Sequence, residues 1–66
     1  MSSTFIERMH DELEELEDRL HKLDCFIASK DFDALPKLDR SLLITQSAYM
    51  KGYKNTLQLR VNAHKD

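Results

Sequence analysis

A chain of 66 residues with one cysteine, one glycine and one proline has room for a single domain with a marginal core. It lacks the disulfide and zinc-ligand staples that usually hold chains this short. Oligomerisation is the remaining means of stabilisation, a reducing cytoplasm is the expected compartment, and neither a signal-peptide pattern nor a membrane-length apolar run is expected to direct the chain elsewhere. A formal net charge of −2 is far from the basic balance of a general duplex nucleic-acid binder.

The charge is unevenly placed. Residues 1–30 hold eight acids against four cations, a net of −4, and residues 31–66 hold four acids against six cations, a net of +2. Two halves of opposite sign favour antiparallel pairing, within a chain or between chains.

Thr4 and Glu7 have the spacing of a capping box and predict a helix start at about Phe5. Ile6, Met9, Leu13, Leu16, Leu20, Leu23 and Ile27 then recur at alternating intervals of three and four. That is an unbroken a/d heptad and predicts helix 1 over about 5–28, with one apolar seam. Glu15 with Arg19 and Asp18 with Lys22 are acid-first i,i+4 pairs worth about 0.3 kcal/mol each, so the outer face reads as solvated. Its carboxylates are interrupted by cations and make a weak nucleic-acid mimic.

The heptad stops in the connector, residues 29–36. Pro36 disfavours a helical Leu35 and suits a first helical turn. Phe32 and Leu35 are expected to fold back as an apolar plug over the hairpin end. Helix 2 is predicted over about 37–63, with Leu43, Gln46, Met50, Tyr53, Leu57 and Val61 along one stripe and Leu38, Leu42, Tyr49 and Leu59 widening or leaving it. A turn centred near residue 33 would set Met9 against Leu57, Leu13 against Tyr53, Leu16 against Met50, Leu20 against Gln46 and Leu23 against Leu43. A polar Gln46 in that seam would fix register and protomer number. The expected fold is all-α, an antiparallel two-helix hairpin with a short connector plug, assembling into an oligomeric helical bundle. Two helices alone cannot enclose a core, so much of the apolar surface is expected to be buried against other chains.

The order Phe5-Ile6-Glu7-Arg8-Met9, Glu12-Leu13, Glu15-Leu16, Arg19-Leu20, Lys22-Leu23, Phe26-Ile27, then Phe32, Leu35, Leu42-Leu43, Gln46, Met50, Tyr53, Leu57 and Arg60 resembles a family of very small phage and prophage helical-hairpin proteins related to a crAss-like phage protein. The likeness spans nearly the whole chain. It implies a phage accessory role without enzymatic activity. Some small phage proteins of this architecture are sponges that sequester the cyclic nucleotide signals of host immunity, an analogy of architecture and context.

Candidate chemistry falls mainly at one end of the hairpin. Antiparallel register brings Arg8 beside Arg60, with Tyr53 and Lys54 nearby. Arginine forks grip phosphate and an aromatic ring stacks on a base, so these four are the candidate ligand-binding residues. The plainer reading has both arginines solvated and Tyr53 in the core. Gly52 inside a helix costs about 1 kcal/mol relative to Ala, and is expected to mark a close approach, of a neighbouring helix before a ligand. His21 and Cys25 have i,i+4 spacing but are too few to hold a metal. His10 and His64 are expected near each other across the hairpin end. Neither a metal nor a cofactor is expected. Ser41 and Thr45 have no partnered base, and neither a carboxylate cleft nor a glycine-rich phosphate loop is present, so no catalytic residue is assigned. Three functions fit: a non-enzymatic counter-defence protein that sequesters a cyclic nucleotide between protomers, an inhibitor or adaptor that lays a helical face on a host enzyme, or a structural coiled-coil module.

Overall fold

The computed structural model describes residues 2–64. Three helices follow in order: α1 (Ser2–Ile27), α2 (Lys30–Asp33) and α3 (Lys37–Ala63). The long helices fall where the periodicity places them. The expected capping box is not formed: α1 already runs through Thr4 from Ser2, and a threonine in a first turn costs only a few tenths of a kcal/mol against an extended cap.

Ser29 manages the first corner. Its backbone is extended, with φ −91 and ψ 164. Its hydroxyl donates to the Phe26 carbonyl at 2.6 Å and accepts from the Phe32 amide at 3.4 Å, so one side chain ends α1 and caps α2. The connector is therefore tighter than an irregular loop. Its four-residue turn of helix swings Phe32 inward, where the ring is buried and meets Phe26 edge-on at 6.2 Å. Pro36 follows with φ −56 and ψ 150. It needs no amide partner, and its carbonyl accepts from the Arg40 amide at 3.0 Å to open α3.

α1 and α3 pack antiparallel. Phe5 meets His64 at one end, Tyr53 bonds Glu12 nearer the middle, and Ser47 bonds Asp24 toward the turn. The core is one cluster of Met9, Leu13, Leu16, Leu57 and Val61, with Met50 packed against it. Leu20 is buried beyond it, and Ile6, Leu23, Ile27 and Leu43 are half-buried. Most of the α1 seam is thus closed by α3 of the same chain. Large apolar side chains nevertheless stay uncovered in the single chain, and four of them, Leu38, Leu42, Tyr49 and Leu59, lie on α3 outside the stripe that meets α1.

The outcome is a rod of 48 × 15 × 15 Å with a radius of gyration of 15.1 Å, against about 11 Å for a compact chain of this length. Its accessible surface of 5252 Å² exceeds the roughly 4,400 Å² of a compact monomer of this mass. No helix among the described residues is long and apolar enough to cross a membrane.

Candidate functional site

The core face of α3 is rotated from the predicted stripe. Ser47 is buried and Lys54 half-buried, while Gln46 and Tyr53 are exposed. Gln46 is therefore not in the intrachain seam opposite Leu20, and its amide contacts Met50 Sδ at 3.9 Å. The position that sequence periodicity missed is Ser47. Its hydroxyl donates to Asp24 Oδ1 at 2.7 Å, and Lys51 lies 3.7 Å from Asp24 Oδ2. A small polar residue on a buried stripe is explained only by its partner across the hairpin, so the signal lay in register and not in composition.

Tyr53 is 45 % exposed and its hydroxyl donates to the Glu12 carboxylate. That bond ties the middle of one edge of the hairpin. Arg8 lies one turn before Glu12 on α1 and Arg60 lies two turns beyond Tyr53 on α3, so helical spacing sets both on the same edge as the bonded pair. Antiparallel packing puts them at nearly the same height, below the Phe5 and His64 rings, whose centroids are 5.5 Å apart. Both arginines are exposed. The ion pairs among the described residues, Lys22 with Asp18 at 3.1 Å and Lys51 with Asp24, use neither of them. Lys54 is one residue past Tyr53, about 100° further round the helix toward the core, and so sits apart from the edge that Arg8, Tyr53 and Arg60 share.

This edge can do two things. Its guanidiniums offer planar donor forks to a phosphate, and the Tyr53 ring offers a face to a base. Glu12 sets the condition: an anion approaching the phenol must displace or bridge the carboxylate that already accepts its proton. Sequence assigns Glu12 no role at a site, because no local pattern shows that an acid of α1 meets a phenol of α3.

The other candidates are placed as follows. Cys25 Sγ and His21 Nε2 approach to 3.6 Å on the exposed face, and no group of three or more metal-ligating side chains occurs among the described residues. His64 packs edge-on against Phe5, where His10 was the expected neighbour. Gly52 is exposed and a Cβ built there meets nothing within 4 Å. Its helix penalty is therefore not repaid by any close approach inside the chain. The Glu15–Arg19 pair is absent from the ion pairs of the described residues, while Asp18–Lys22 forms. Asp11, Glu14, Glu15 and Asp18 line an open acidic hollow on α1, and Leu42, Thr45, Gln46, Tyr49, Met50 and Tyr53 line a shallow, largely apolar groove along α3.

Comparison with known families matches residues 3–63 to the model of the family described as Sequestin. No curated protein and no solved structure matches the chain.

Proposed function

The chain belongs to the Sequestin family, and from that premise we propose that it is a sequestering protein without catalytic turnover. Its cargo in this reading is a cyclic nucleotide immune signal, held between protomers, and its setting is phage counter-defence in the cytoplasm of a host cell, as the sequence resemblance implies. The observation that carries the ligand class is the shared edge: two exposed arginines at one height, with a half-exposed tyrosine ring two turns from Arg60. Arginine forks plus an aromatic face suit phosphate and base together. No nucleophile paired with a base is assigned beside Arg8, Tyr53 and Arg60, which supports holding a ligand without transforming it. One chain supplies one side of such a grip, so capture between protomers supplies the other.

Calorimetric titration with a panel of cyclic di- and trinucleotides tests the reading. Binding tighter than about 10 μM supports it. Arg8→Ala and Arg60→Ala should then each lose roughly 1.5 to 3 kcal/mol of binding, the range for a hydrogen bond to a charged group, with helicity unchanged. Tyr53→Leu tests stacking more fairly than Tyr53→Ala, because it keeps apolar bulk beside Leu57. If no nucleotide binds, the second reading takes over: an inhibitor or adaptor docking on a host enzyme, favoured by the apolar groove along α3.

A further inference from the structure

α3 carries a second heptad that plays no part in the hairpin core. Leu38, Leu42, Thr45 and Tyr49 follow one another at intervals of four, three and four, and Gly52, Thr56, Leu59 and Ala63 continue the alternation without a break. Every one of these positions is exposed. None is charged in a chain that is one third charged, and the apolar members are far out: Tyr49 is 76 % exposed, Leu38 and Leu59 are each 68 %. Thr45, the polar member of the first half, already donates its hydroxyl to the Ser41 carbonyl at 2.9 Å. A charge-free a/d stripe about 38 Å long is a coiled-coil seam without its partner.

We propose that this seam is the interface of a homodimer in which α3 packs antiparallel on α3 of a second copy about a two-fold axis near Met50 and Lys51. The order of sizes along the seam selects the occupant and its direction. An antiparallel two-fold sets Tyr49 over the partner's Gly52, Thr45 beside the partner's Thr56, Leu42 on the partner's Leu59 and Leu38 on the partner's Ala63, and each contact occurs twice. Large meets small, and like meets like only where both fit. A parallel pair would stack Tyr49 on Tyr49 and leave facing glycines with a void. The flanks agree: an antiparallel two-fold brings the same side of each seam together, so Arg60 falls beside the partner's Asp39 and Ser41 beside the partner's Asn62, and no like charges meet.

Two further observations point the same way. Gly52 costs a helix about 1 kcal/mol and admits no neighbour of its own chain within 4 Å, so a hole for the second copy's Tyr49 gives that cost a use. The rod's surface exceeds that of a compact monomer by several hundred Å², and one side of a standard interface is about 800 Å². The dimer does not depend on a nucleotide being bound, although it supplies the second protomer that capture between protomers needs.

Sedimentation equilibrium of the full chain without nucleotide tests this. The wild type should be a dimer at tens of micromolar. Gly52→Gln starts from an exposed position where a Cβ has open space in its own chain, and glutamine is the better helix former, so it should hold or raise the melting temperature of the monomer while weakening the dimer by at least about tenfold. Tyr49→Ala should weaken it similarly with full helicity. Leu42→Lys and Leu59→Glu should each be monomeric, and an equimolar mixture should recover a dimer, because the antiparallel register sets the new lysine against the new glutamate. A monomeric wild type overturns the proposal, as does an oligomer indifferent to Gly52→Gln and Tyr49→Ala, or a mixture that fails to pair. A failure here is distinct from failure of nucleotide capture, which is read by calorimetry with ligand present.

Discussion

Ser47 occupies a buried position that a leucine would fill in a simpler hairpin. Its hydroxyl is satisfied by Asp24 at 2.7 Å, and Asp24 also faces Lys51 at 3.7 Å, so the three form a short polar clasp between α1 and α3. The two components of the clasp differ in strength. The Lys51 and Asp24 side chains are 57 % and 41 % exposed, and an ion pair that open is worth about 0.5 kcal/mol or less. The Ser47 bond is shielded on the donor side and directed, and it contributes about 1 kcal/mol. Ser47→Ala should therefore lower stability in urea by about 1 kcal/mol and Lys51→Ala by less than half of that, and a double-mutant cycle of Ser47→Ala with Asp24→Asn should show positive coupling. Equal losses at Ser47 and Lys51 would mean that charge and not the buried hydroxyl holds the clasp.

The connector is the smallest element and the one whose contribution to stability is easiest to isolate. Phe32 is 7 % exposed and meets Phe26 edge-on, and Ser29 fixes the turn that presents it. Truncating a buried phenylalanine costs about 3 to 5 kcal/mol, a large share of the stability of any small domain. Phe32→Ala should broaden or abolish the cooperative thermal transition, and Phe32→Leu should keep the transition at a lower temperature, both followed by far-UV circular dichroism. The plug was legible in the sequence because two apolar residues between helix ends have nowhere else to go. The α1 seam was legible because its heptad has no competitor. α3 was harder: it carries two apolar stripes, one toward α1 and one away, and a single best stripe drawn through both put Gln46 and Tyr53 in the core in place of Ser47 and Lys54. At the candidate site, antiparallel register alone brings Arg8 and Arg60 to similar heights with Tyr53 and Lys54 nearby, and the edge that Arg8, Tyr53 and Arg60 share is read from the Tyr53–Glu12 bond. Register does not give that contact, since it needs the rotation of each helix about its own axis, which periodicity fixes only when one stripe stands out.

At the scale of the whole molecule the two apolar stripes divide the labour, and this division can be tested with one pair of substitutions. Leu16 is 4 % exposed in the single-chain core. Placing an aspartate there buries a carboxylate with no partner, and a buried unpaired charge costs more than a 66-residue rod can absorb. Leu16→Asp should therefore lose helicity at any protein concentration, in the presence or absence of nucleotide. Leu42→Lys places its charge outside the core stripe of α3, at a side chain 57 % exposed, where the ammonium stays hydrated in the isolated chain. It should keep the helicity of the wild type while losing the concentration dependence of its melting temperature, since only a dimer that assembles from folded or unfolded chains melts at a temperature set by mass action. Circular dichroism melts of the two variants at low and high protein concentration separate the cases. If Leu42→Lys unfolds as Leu16→Asp does, then folding and assembly are a single step and the hairpin has no independent existence. If Leu16→Asp retains the wild-type spectrum, the core assigned to α1 and α3 is wrong.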